Sequence, residues 1–170
     1  MPRYRFLFLL FLIALPCLTY FLHECAHWLA YHFYGIDARL VINTIRLPQQ
    51  NELTSTQQFI IYGSGVFFSL IQGIIGYSIA FKKDVYFGSS LLLSAAVFRW
   101  AAIFKGVVST SDEIKMSRAM GIHDLVWPLI TSIGFFLMLF HLHQKWGLPM
   151  KYMCGMSLLF LLITYGYSVI

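Results

Sequence analysis

No formal charge separates Glu52 from Lys82, none separates Asp124 from Lys145, and none follows Lys151. Between Arg5 and Asp37 the only charged side chain is Glu24, and between Asp84 and Lys105 the only one is Arg99. Crossing a bilayer core takes about 20 apolar residues per helix, and backbone in lipid must satisfy its own hydrogen bonds, which favours helices. The gaps therefore predict five transmembrane helices, over roughly residues 5–34, 57–81, 85–106, 125–144 and 152–170. The chain is 59% hydrophobic and 11% charged, too apolar for an ordinary soluble domain. The expected fold class is an all-α membrane protein, a single integral domain over residues 1–170.

Arg3 and Arg5 precede an apolar run, as in a secretory signal. The run continues past any plausible cleavage point, and Pro16 before Cys17 spoils a lipoprotein-type signal, so a retained helix is expected. Cys17, Cys25 and Cys154 fall within predicted spans without paired spacing and are read as packing residues. The net charge of +5 comes largely from Arg and Lys at loop ends, where snorkelling and anionic headgroups account for it; the partner it implies is the lipid bilayer, not nucleic acid. Basic residues divide almost evenly between the two faces, a distribution that leans toward a cytoplasmic N-terminus.

Two polar segments interrupt the spans. Residues 35–56 begin with Gly35 and contain a β-branched run from Leu40 to Leu47 in which polar and apolar positions roughly alternate. That pattern predicts an interfacial strand or hairpin, whose edge could accept an extended peptide or simply lie on the membrane surface. In residues 107–124, Ser109 to Ser111 offer a helix N-cap, Asp112 and Glu113 suit a first turn, and Gly121 suits the end, so a short helix is expected. With five spans, the segments after the first and third lie on the same side of the membrane.

His23, Glu24 and His27 form H-E-x-x-H inside the first span. Helical positions i and i+4 stand about 40° apart in azimuth and about 6 Å apart in rise, so both imidazoles can reach one ion at about 2.0–2.1 Å. Glu24 is turned about 100° away, which suits a general base better than a ligand. A carboxylate in a span costs about 2.5–3.5 kcal/mol or more to insert, so an accidental cluster is disfavoured. The structural alternative is a pair of core histidines, with Glu24 protonated or paired to Arg99.

Catalytic zinc sites use three protein ligands. A histidine at position 33 would complete one known pattern, but Phe33 stands there and His32 is out of register. Glu52 lacks helical surroundings. Asp112, just after the third span, lies on the side toward which His23 and His27 point, with Glu113, His123 and Asp124 as competitors.

The motif "HECAH" at 23–27, a glycine-containing second span with "YGSGVFFSL" at 62–70, and an acidic segment "SDEIKMSRAMGI" at 111–122 together resemble the site-2 protease family of intramembrane zinc metalloproteases. The resemblance covers about the first 125 residues. It implies a three-helix protease core within residues 1–124, with residues 125–170 adding two helices. It further implies that His23, His27 and Asp112 bind Zn2+ and that Glu24 activates a water to cut transmembrane or membrane-tethered protein substrates. Leu40 and Ile42 on the predicted strand, with Gly63 and Gly65, become candidates for substrate binding. A multi-pass protein of a prokaryotic inner or plasma membrane is expected.

Gly63, Gly65, Gly73 and Gly76 also suit close helix contact. Arg99 could pair with an acidic residue near the site or stabilise an oxyanion, though snorkelling to the interface is the simpler expectation. His141 and His143 do not share a helix face and are expected at the interface; Trp28, Trp100, Trp127 and Trp146 fit aromatic belts. The competing classes are a non-catalytic pseudoprotease that binds membrane partners and a metal transporter, which should show repeated halves and broken helices.

Overall fold

The structure is a computed structural model that describes residues 2–41, 44–46, 53–82, 84–106 and 110–169. Six helices and one hairpin make up the described chain: α1 (Pro2–Phe33), β1 (Arg39–Val41), β2 (Thr44–Arg46), α2 (Ser55–Lys82), α3 (Val85–Gly106), α4 (Asp112–Ala119), α5 (Val126–Trp146) and α6 (Met150–Val169). The architecture is all-α with the character of a membrane protein. Among the described residues, four helices are long and apolar enough to cross a bilayer, over Leu10–Phe33, Ser55–Lys82, Val85–Phe104 and Val126–Trp146. The fifth expected span corresponds to α6, whose apolar stretch, Met150–Gly166, is shorter.

Local chemistry sets the helix ends. α1 stops where Gly35 takes φ +68°, with the N–H of Ile36 bonded back to the Tyr31 carbonyl at 3.0 Å. α2 opens with a reciprocal cap in which the Thr54 N–H donates to Gln57 Oε1 (2.9 Å) and the Gln57 N–H to Thr54 Oγ1 (3.3 Å). The side chain of Asp84 caps α3 through the Phe87 N–H at 2.9 Å. As the Ser, acidic and Gly signals of 109–121 predicted, Ser111 caps α4 through the Ile114 N–H, and Gly121 follows it at φ +68°.

α2 and α3 cross closely because small residues face each other. A Cβ on Gly76 would stand 2.7 Å from the Leu92 nitrogen, and one on Gly88 would stand 2.2 Å from the Ala80 nitrogen. Around this crossing, Leu12 and Leu15 of α1, Leu92, Leu93 and Val97 of α3, Phe135 and Leu139 of α5, and Phe160 of α6 form one buried core, so α5 and α6 share the interior of α1–α3. A polar clamp runs through it: Thr19 and Ser94 hydroxyls meet at 2.8 Å, and the Gln72 amide donates to Thr19 Oγ1 at 2.9 Å and to the Leu91 carbonyl at 3.2 Å. Outward-facing Ile71, Ile74, Ile130, Ile133 and Phe136 supply the apolar exterior a bilayer requires.

The expected interfacial segment is a short antiparallel hairpin, with Arg39 opposite Arg46 and Leu40 opposite Ile45. It is tied to the end of α1 by a small cluster of Ala30, Tyr31, Ile36, Ala38 and Ile61, and by the Trp28 indole donating to the Ala38 carbonyl at 3.0 Å.

Candidate metal centre

His23 and His27 lie one turn apart on the buried face of α1, 1% and 4% exposed. Asp112, the first residue of α4, turns its carboxylate onto both. Its Oδ2 is 3.1 Å from His23 Nε2 and 3.2 Å from His27 Nε2, and the two Nε2 atoms are 3.0 Å apart. Among the described residues, these three form the group of metal-ligating side chains whose donor atoms all lie within 4.8 Å of one another, and they could hold a metal ion. Tetrahedral coordination with bonds of about 2.0–2.1 Å sets donor atoms about 3.3 Å apart, close to the observed triangle.

The surroundings aim the donors inward. His27 Nδ1–H donates to the Ile61 carbonyl at 2.7 Å, so the neutral ring presents an unprotonated Nε2 to the cluster. Ser64 Oγ donates to the same carbonyl at 2.7 Å. His23 packs edge-on against Phe98, with centroids 4.9 Å apart. Gly65 of α2 supplies the space: a Cβ there would stand 2.3 Å from His23 Cε1 and 2.5 Å from His27 Nε2.

Glu24 is half-buried beside this group, within electrostatic reach of His27, Asp112, Arg99 and Lys115. Lys115 Nζ sits 4.5 Å from the centroid of the Tyr62 ring. Three competitors for the third position lie elsewhere. Glu113 is outside this group and pairs with Arg99 at 3.0 Å, both side chains fully buried. Asp124 makes an exposed two-pronged pair with Arg118, and His123 is exposed. Glu52 lies outside the described residues, as does Ile42; Leu40 is half-buried in β1. Gly63 packs under Phe67 and Met116, away from the imidazoles.

The snorkelling expected of Arg99 is overturned, because Glu113 supplies a buried counter-charge that lets the guanidinium stay inside. His141 is exposed and meets the Tyr77 hydroxyl at 3.1 Å, while His143 Nδ1–H donates to the Leu148 carbonyl at 2.7 Å, so neither joins the metal group. The role of Gly65 as the floor beneath both rings was missed from sequence, although its small-x-small spacing with Gly63 was the available signal. The Ile61 carbonyl left no signal, being backbone.

No protein-family model matches the chain, nor does any curated protein or solved structure.

Proposed function

We propose that this chain is an intramembrane zinc metalloprotease of the site-2 protease kind, cutting peptide bonds of membrane-embedded or membrane-tethered proteins. The observation that carries the reading is the convergence of His23, His27 and Asp112 donor atoms within 3.0–3.2 Å, with Glu24 next to His23 on the same helix. Two imidazoles and one carboxylate form a donor set suited to zinc. When bound, zinc supplies Lewis acidity that lowers the pKa of a water and polarises a carbonyl.

The chain's own residues do the rest. Glu24 takes a proton from the water as its oxygen bonds to the carbonyl carbon. As the C–N bond breaks, Glu24 returns that proton to the leaving amine nitrogen. A helical peptide bond is shielded by its own side chains, so the substrate segment has to be extended, and the β1–β2 edge carrying Leu40 is where such a strand would pair. In this reading α1–α4 form the catalytic core over residues 1–124, and α5 and α6 complete five spans of a multi-pass protein in a prokaryotic inner or plasma membrane. Transport fits less well, since α1 runs unbroken from Pro2 to Phe33 through both histidines.

The test is Glu24→Gln in the full chain with a membrane-tethered reporter substrate. Cleavage should disappear while metal analysis of the purified protein still finds zinc; undiminished cleavage would overturn the mechanism.

A further inference from the structure

Arg99 and Glu113 are a poorly made ion pair if mutual neutralisation is their purpose. A single contact, Nη1 to Oε1 at 3.0 Å, joins them, while Arg99 Nε and Glu113 Oε2 are buried without a hydrogen-bond partner among the described residues. Strong guanidinium–carboxylate pairs are frequently bidentate, and a buried pair with unmet atoms does little for stability. The other terminal nitrogen, Nη2, is directed elsewhere: it lies 3.4 Å from both Nδ1 and Nε2 of His23. Being equidistant, it rests against the ring between the two nitrogens and lies along neither lone pair. It can therefore fix the ring's orientation without occupying the nitrogen that faces His27 and Asp112.

The opposite end of the pair acts on Asp112. Glu113 is the next residue on α4, and successive helical side chains point about 100° apart. Holding Glu113 against α3 sets the rotation of the first turn of α4 about its own axis, and that rotation aims Asp112 Oδ2 at the imidazoles. We propose that Arg99 and Glu113 are positioning residues for the metal group, one bracing the His23 ring and the other orienting the Asp112 carboxylate. This rests on the metal reading above, although it concerns geometry and not hydrolysis.

The experiment titrates Co2+ into the purified full chain, following the visible absorption of a tetrahedral cobalt site, with Zn2+ competition to obtain affinity. Glu113→Gln and Arg99→Lys should each weaken binding by about 10–100-fold, the range seen when outer partners of metal ligands are lost, and should shift the cobalt bands as ligand geometry changes. Arg118→Gln, which breaks the exposed pair on the same helix, should leave affinity and spectrum unchanged. If a single variant fails to fold, R99M/E113L removes both charges at similar bulk, a replacement that buried pairs often tolerate, and the same loss is expected. A folded variant of the pair that binds cobalt within about twofold of the original chain, with unshifted bands, overturns the inference alone. An unaltered chain that binds no cobalt overturns the metal reading and this inference with it.

Discussion

Replacing Gly65 by Ala adds one methyl group directly against the two imidazoles. That carbon would stand 2.3 Å from His23 Cε1, 2.5 Å from His27 Nε2 and 2.6 Å from His23 Nδ1. Ordinary contact begins near about 3.4 Å, so the rings or α2 must give way by about 1 Å, whereas metal sites tolerate about 0.2 Å in each bond. Neither ring is free to yield: His23 is held by Phe98 and Arg99, and His27 by the Ile61 carbonyl. Metal affinity should therefore fall by about 100-fold or more, at or beyond the upper end of outer-partner effects. The helix itself should not suffer, since Ala in place of Gly favours a helix interior by about 0.5–1 kcal/mol. Calorimetric zinc titration and metal analysis read the first effect, and circular dichroism the second. Gly63→Ala is the control, because its Cβ meets the partly exposed Phe67 ring at 3.0 Å and the flexible Met116 tip at 3.3 Å, both able to shift. If Gly65→Ala binds zinc as tightly as Gly63→Ala, the convergence of the two rings beneath α2 is wrong.

Three further outcomes follow from the fold. Gly88→Ala should fail to assemble α2 on α3, read as aggregation or protease sensitivity, because its Cβ meets backbone at 2.2 Å and backbone cannot turn aside. Gln72→Leu removes one arm of the Thr19–Ser94 clamp and should cost about 0.6–2 kcal/mol in a detergent unfolding titration, with metal content unchanged. Asp124→Asn should give a small, pH-dependent loss of stability. The hydrogen bonds from Arg118 lower the Asp124 carboxyl in the fold, so its contribution is present above about pH 4 and is lost as pH falls through the lowered value. Melting curves of the two proteins should converge in acid and in high salt.

The helical bundle was legible because charge-free runs leave a lipid-spanning chain few alternatives, and α4 was legible because Ser111, Asp112 and Gly121 sit where a cap, a first turn and a stop belong. His23 and His27 were legible as neighbours because helical spacing alone fixes their separation. Asp112 could be favoured over Glu113 from topology but not separated from it, since both occupy one turn and the choice depends on how α4 is rotated. That rotation is set by Arg99, a residue distant in sequence whose buried partner no local pattern announces. The hairpin was expected from alternation, yet what fastens it, Trp28 reaching the Ala38 carbonyl, is a tertiary contact.

Charge balance connects the buried groups to the proposed ion. Glu24, Arg99, Asp112 and Glu113 gather at one end of a bundle in which each isolated charge would be costly. Arg99 and Glu113 cancel. That leaves Asp112 and Glu24 as two carboxylates beside the imidazoles, with Lys115 the remaining cation in electrostatic reach of Glu24. In the proposed reading, a divalent cation held by His23, His27 and Asp112 would offset both carboxylates at close range. A monovalent ion would offset only one of the two, so it should bind this group far more weakly than zinc in a competition titration.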